Sequence, residues 1–483
     1  MKKILLLIFV CTSFTAISQP GITWNMGMNL AANTYGNMHP RMALDGAGNP
    51  MVVWGRMSDK SVMFSKWNGA AFTTPVKLNP AWLSVAAASW MGPDIASKGD
   101  TVYVVVKRAP ENSDTNRVFI FTSFNGGAAF NAPVELAVIA DSQSRFPTVA
   151  TDAAGNPIVA YMKFNAAFME SRWVVTKSAD YGNSFMTDVN ASGYSGANAE
   201  ACDCCPGAIV TSGSKSVMLY RDNLSNIRDI WAGISTNNNT SFPTGFKADN
   251  NNWMVMMCPA SGPDGVIIGD TVYTTYMSAG GGSSRCYLSK SSLTAGAVNT
   301  VSNLTGALPG LTVQNYPRIA NSGNAMAIVW TQTVNGAGQL PVLFTNDITN
   351  GAAFDYDTVD LADVTNTDVA MSSGNIYVVW QDDNSGTIKY RSGTYPLVNV
   401  GVKDIAENNF AVFPNPVSST ITLQANFDLN NTELNIYNLL GETVLSQSKI
   451  SHATVDVKKL ISGTYILQLK SDGKVYTQKF VKE

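Results

Sequence analysis

The sequence predicts an all-β protein: a seven-bladed β-propeller, with six blades as the alternative count, followed by a small C-terminal β-sandwich. Three observations carry that expectation. An apolar strand recurs seven times at a spacing of about 50 residues, usually preceded by a shorter strand and followed by a third. A tight turn closing on an aromatic residue recurs at one register within the repeat. From about Ile405 the repeat gives way to a Lys-richer segment of short alternating runs.

The apolar strands are Met51-Val52-Val53-Trp54, Val102 to Val106, Ile158-Val159-Ala160-Tyr161, Val217-Met218-Leu219-Tyr220, Val272 to Tyr276, Ala327-Ile328-Val329-Trp330 and Ile376 to Trp380. Turns such as Asp45-Gly46-Ala47-Gly48-Asn49 precede most of them, and before the turn lies a short strand often opened by Pro, as in Pro40-Arg41, Pro147-Thr148 and Pro317-Arg318. The third strand ends in the recurring turn. Its best copy is Ser178-Ala179-Asp180-Tyr181-Gly182-Asn183-Ser184-Phe185, with degenerate copies at 123–130 and 235–242 and weaker ones ending at Phe72 and Phe354. Four short antiparallel strands repeated in this way make a propeller. The seventh unit stops after Thr387-Ile388-Lys389-Tyr390, and Ile22 to Met26 is expected to supply its missing outer strand, removing an exposed sheet edge. The Trp and Tyr that end second strands (Trp54, Tyr161, Trp330, Trp380) are expected between blades. With these turns and blade pattern the middle, placed at 19–396, resembles the sialidase-like BNR-repeat (Asp-box) propellers.

The two ends read differently. Lys2-Lys3, the apolar run Ile4 to Val10 and Ala16-Ile17-Ser18 have the pattern of a secretory signal over 1–18. No later stretch reaches about 18 uninterrupted apolar residues, so no transmembrane segment is expected. After the linker assigned to 397–409, residues 410–483 carry Phe413-Pro414-Asn415-Pro416, Ile436-Tyr437-Asn438-Leu439-Leu440-Gly441, Ile461-Ser462-Gly463-Thr464-Tyr465 and Lys479-Phe480-Val481-Lys482. These motifs closely resemble the type A sorting domain of the type IX secretion system. The resemblance implies export to the outer surface or beyond, with the type IX machinery as a partner.

Composition narrows the function classes. Net charge is -3 and 14% of residues are charged, with no clustered Lys and Arg of the kind nucleic acid requires. The two histidines, His39 and His452, exclude a His-rich zinc site and make a Ser-His-Asp triad improbable. Of 6 cysteines Cys11 leaves with the signal, so an odd set remains: Cys202, Cys204, Cys205, Cys258 and Cys286.

Propeller connectivity assigns a face to each motif. Cys202-Asp203-Cys204-Cys205 leads into blade 4, and Met256-Met257-Cys258-Pro259 leads into blade 5. Tyr220, Arg221 and Asp222 end the second strand of blade 4, Arg228 and Asp229 begin its third, and Trp253 precedes Cys258. All should converge near the central channel between blades 4 and 5. Arg41, Arg145 and Arg318 map to the same face. Together Tyr220, Arg221, Asp222, Arg228, Asp229, Trp253, Arg145, Arg41 and Arg318 are the expected ligand-binding set; bidentate Arg forks there suit a carboxylate or sulfate. The combination of Cys-Asp-Cys-Cys, Tyr-Arg, Arg-Asp-Ile, Trp and Cys-Pro-x-x-Gly-Pro is similar to a group of bacterial exported sialidase-like propellers.

Three states of the cysteines stay open. One is disulfides, with Cys202 or Cys205 bonded to Cys258; another is copper or zinc held by thiolates with Met256 or Met257; the third is a reactive thiol. Cys286 is expected to be a buried free thiol. Sialidase chemistry, which the resemblance implies, uses three Arg, a Tyr nucleophile with a Glu partner and an Asp acid. No Tyr and Glu stand at a suitable spacing here, and catalytic residues are left unassigned. The expected function is an exported or cell-surface propeller binding a glycan or anionic ligand on the face of blades 4 and 5. The alternatives are a sialidase-type hydrolase or soft-metal-dependent enzyme at that site, and an adhesion or scaffold propeller.

Overall fold

The computed structural model describes residues 21–31, 36–110, 117–136, 142–305, 308–397, 410–425, 427–430, 432–450, 452–471 and 474–483. The expected signal over 1–18 and most of the linker at 397–409 lie outside them. The chain divides into two compact units, Met1–Val398 and Asn399–Glu483. Among the described residues the only helical element is a single 3-10 turn, Met57–Asp59. The protein is all-β.

Among the described residues the first unit holds seven antiparallel sheets in chain order. We number them 1 to 7 by their first strands: Asn37–Leu44, Asp94–Lys98, Ser142–Thr151, Ala208–Ser212, Asp264–Ile268, Leu311–Ser322 and Val364–Ser372. Each first strand adjoins the first strand of the next sheet, and that of sheet 7 adjoins that of sheet 1. The second strands are apolar on both sides, and Pro50–Arg56 and Lys215–Arg221 are buried almost throughout. A strand that reads as a continuous apolar run is one covered on both faces, here by the sheets before and after it. Trp54, Tyr161, Trp330 and Trp380 are all buried in these layers.

Sheet 7 is completed from the N-terminal side of the chain. Thr23–Trp24 and Met28–Asn29 both pair with Thr387–Thr394, with Thr23 opposite Thr394 and Met28 opposite Tyr390. Trp24 adds an indole N–H bond to the Asp357 carboxylate at 2.8 Å. The turns between third and fourth strands are held locally. Ser178 Oγ bonds Asp180 Oδ1 at 2.7 Å, the Gly182 N–H donates to Ser178 Oγ, and the Ser184 N–H donates to Asp180 Oδ1. Asn125 and Asn237 fill the Asp180 role in sheets 2 and 4.

The second unit has a three-stranded sheet (Phe410–Phe413, Thr420–Ala425, Thr454–Asp456) and a four-stranded one (Glu433–Tyr437, Thr443–Gln447, Gly463–Ser471, Lys474–Lys482). Ile421, Leu423, Leu434, Ile436, Leu467, Leu469 and Phe480 form its core. Strands Thr420–Ala425 and Glu433–Tyr437 alternate buried and exposed positions, as one-sided sheets do.

Candidate functional site

The cysteine loops are placed by main-chain pairing. Ala201 bridges to Asp222, and the Cys202 N–H donates to the Arg221 carbonyl at 2.8 Å, so the loop leading into sheet 4 lies along the end of strand Lys215–Arg221. Ile227 bridges to Met254 and the Arg228 N–H donates to the Trp253 carbonyl at 2.8 Å, which seats the loop leading into sheet 5 beside it. A disulfide joins the two loops, between Cys204 and Cys258. The pairing expected from sequence, through Cys202 or Cys205, is thus corrected: those two are buried and turn inward, whereas Cys204 reaches toward the neighbouring loop. Cys286 is a buried free thiol. A three-thiolate metal set is not left, because Cys204 is committed to the disulfide, and Met256 and Met257 are solvent-exposed.

Six expected ligand contacts do gather here, but most face inward. Arg221 is fully buried, and its guanidinium donates to three carbonyls: Nε to Ser261, Nη1 to Arg228 and Nη2 to Met277. Its face lies over the Trp253 ring at 5.2 Å. Each of its three nitrogens is thereby bonded to main chain, and the fully buried side chain is not presented to solvent. Tyr220 is buried with its hydroxyl accepting from the Gly193 N–H, and burial pushes its pKa up. Asp222 is buried and raised by that burial. Asp229 accepts the Trp253 N–H at 2.8 Å and pairs with Lys247 at 2.6 Å. These corrections share one cause: the ends of the second and third strands lie under the loops, so their polar side chains are used to hold loop backbone. Arg228 points its Nη1 at Cys202 Sγ, 2.9 Å away.

The remaining three arginines line two openings, Arg145 a side pocket and Arg41 and Arg318 the central mouth. Arg145 donates to the Asp203 carbonyl at 3.0 Å and is framed by the rings of Trp90, Phe164 and Phe168, with centroids at 5.9, 5.3 and 5.1 Å. With Trp90, Cys204, Cys258 and Ala260 it lines a side pocket next to the disulfide. Arg41 and Arg318 line the central mouth, where every one of the seven sheets or the loop leading into it contributes a residue. Arg318 pairs with Asp368 at 3.0 Å and Asp264 at 3.3 Å. Burial lowers its pKa, but those two acids and Asp94 outweigh burial and raise it. Arg41 is lowered to about 10, first by burial and then by Arg318. Its Nη2 lies 2.9 Å from His39 Nε2, so that nitrogen accepts and the imidazole is neutral, in line with a pKa held low by burial and by Arg41.

Sequence reasoning missed the ring beneath this mouth. Arg41, Asp94, Thr148, Ala208, Asp264, Arg318 and Asp368 occupy one register position, each opposite an apolar or Thr residue of its second strand. The three acids reach across to the following sheet: Asp94 accepts the Val149 N–H and the Thr148 hydroxyl, Asp264 the Ile319 N–H, and Asp368 the Met42 N–H. The signal was present in Pro40-Arg41, Pro93-Asp94, Pro147-Thr148, Pro263-Asp264 and Pro317-Arg318, since the residue after the opening proline is the one that faces the channel. Above the ring, His39, Phe146, Tyr316 and Asn366 carry positive φ of 54, 52, 50 and 61°. All four sit at or beside irregularities in strand register and line the mouth. Such left-handed, bulged residues cost energy and persist only where the surrounding structure holds them.

Residues 411–483 match the family described as Secretion system C-terminal sorting domain. No curated protein matches the chain. Among solved structures it is similar to a protein of unknown function from Dyadobacter fermentans (10% identity, TM-score 0.45, covering 78% of this chain and 100% of that one). It is also similar to the α-L-arabinofuranosidase of Fusarium graminearum (13%, 0.46, 67% and 98%) and to the sialidase of Trypanosoma rangeli (10%, 0.42, 92% and 84%). The segment 411–483 is a secretion-system sorting domain, and it directs the chain to the cell surface or beyond.

Proposed function

We propose that residues 19–396 form an exported seven-bladed β-propeller that binds a glycan or other anionic ligand at its central mouth, on the side bordered by the loops leading into sheets 3, 4 and 5. The observation that carries this reading is the mouth itself, where Arg41, Arg318 and Trp90 meet the left-handed His39, Phe146, Tyr316 and Asn366. Arginine forks recognise carboxylate and sulfate, and indole or phenol rings stack on sugars. Binding is favoured over hydrolysis because Asp94, Asp264 and Asp368 each already cap a main-chain amide. In this reading residues 1–18 are the signal, 397–409 the linker and 410–483 the sorting domain.

The mature chain should bind acidic oligosaccharides on a glycan array. In calorimetric titration against the best of them, Trp90→Ala should weaken binding about tenfold, equivalent to about 1.4 kcal/mol. The reading fails if no glycan binds, or if Trp90→Ala and Arg145→Ala both bind as well as the parent.

A further inference from the structure

Two cysteines suffice to staple two loops, yet four sulfurs meet at this one. We propose that Cys202, Cys205, Cys204 and Cys258 form an internal thiol–disulfide exchange relay that unlocks the loops leading into sheets 4 and 5 by moving the disulfide onto the Cys202–Cys205 pair. The inference stands apart from the identity of any ligand at the mouth.

Geometry makes Cys202 the pivot. Its Sγ lies 2.9 Å from Cys205 Sγ and 3.5 Å from Cys204 Sγ, so it is in reach of both the incoming thiol and the existing disulfide. The turn that sets this up is closed by the Cys205 N–H donating to the Cys202 carbonyl at 3.1 Å. Arg228 supplies the charge. Its Nη1 donates to Cys202 Sγ at 2.9 Å, and among the described residues no carboxylate pairs with it. A buried guanidinium needs a counter-charge, and the sulfur beside it provides one as thiolate. The Cys205 hydrogen bond lowers the Cys202 pKa, burial opposes it, and Arg228 and then Arg221 lower it further, to about 6. Burial holds Cys205 protonated. Cys258, at the far end of the disulfide, is exposed and can leave into solvent.

The exchange balances without any added oxidant or reductant. The Cys202 thiolate attacks Cys204 Sγ; the Cys202–Cys204 bond forms, the Cys204–Cys258 bond breaks, and the electron pair leaves on Cys258. Cys205 then attacks Cys202 Sγ, its proton passing to the departing Cys204 sulfur, which lies within 4.8 Å. The Cys202–Cys205 bond forms, the Cys202–Cys204 bond breaks, and the electron pair leaves on Cys204, which takes a proton. One disulfide and two thiols stand at each end of the sequence.

The full mature chain, folded and without added reductant, would be treated with iodoacetamide and its peptides mapped by mass spectrometry. Cys258 should become alkylated over time, in molecules that now carry a Cys202–Cys205 disulfide. Cys202→Ser should slow that labelling at least about tenfold. Should Cys202→Ser not fold, Arg228→Gln provides the second arm. It should slow labelling at about pH 7 and recover near about pH 9, where an ordinary thiol ionises unaided. A purely structural Arg228 would give no such recovery. The proposal is overturned if Cys258 in the parent stays unlabelled. It is equally overturned if Cys202→Ser and Arg228→Gln label as fast as the parent, or if both disulfides coexist with Cys286 as the lone thiol.

Discussion

Four of the seven seams between neighbouring sheets show two kinds of fastening. At the junctions of sheets 2 with 3, 5 with 6 and 7 with 1, a channel-facing aspartate accepts a main-chain N–H of the next first strand. At the junction of sheets 4 and 5 the equivalent position is Ala208, which has nothing to offer. There Arg221 reaches across instead, binding the Ser261 and Met277 carbonyls, and the Cys204–Cys258 bond ties the leading loops. A repeat fixes where a seam must be and leaves its chemistry open. Sheets 4 and 5 are thus fastened away from the channel, and their disulfide lines the side pocket with Trp90, Arg145 and Ala260.

This contrast can be broken most severely at Arg221. Arg221→Ala strands three buried carbonyls and should destabilise the first unit by about 3–5 kcal/mol, read from urea unfolding. A loss under about 1 kcal/mol would mean that water replaces the guanidinium freely, and that the disulfide alone fastens the seam. Asp368→Ala should have a smaller effect, about 2 kcal/mol, because it removes one amide cap and one of the two acids on Arg318. If it equalled the Arg221 loss, the two fastenings would not differ in kind. The smallest change is expected at Asp249, which accepts the Ile230 N–H beside Asp229. Burial, and then Asp229, raise its pKa from 3.8 to about 7. An acid raised in the folded state favours folding while protonated, so its contribution declines as pH climbs from the ordinary value toward 7. Asp249→Asn should therefore gain stability relative to the parent at about pH 8 and not at about pH 4; an equal change at both would refute the buried-carboxylate account.

Much of this was readable beforehand because the repeat imposes it. Seven apolar strands gave seven doubly covered second strands, and Ile22 to Met26 is where the missing partner of Thr387–Thr394 was found. The sorting domain was equally plain from Phe-Pro-Asn-Pro and the motifs after it. The failures are about side-chain direction. Sequence placed Arg221 and Arg145 on one face alike, but Arg221 ends a strand roofed by loops while Arg145, within Ser142–Thr151, is half-buried and lines the side pocket. Pairing of Cys258 with Cys204 rather than with Cys202 or Cys205 depends on which way a four-residue turn presents each sulfur, and spacing alone does not encode that.

The clasp in sheet 7 also sets a timetable. Thr23 finds its partner only when Thr394 has been made and delivered. The two are separated by nearly the whole first unit, and such distant pairings are reached slowly. Until the last sheet arrives, the leading segment has no strand to lie against and sheet 7 keeps a raw edge.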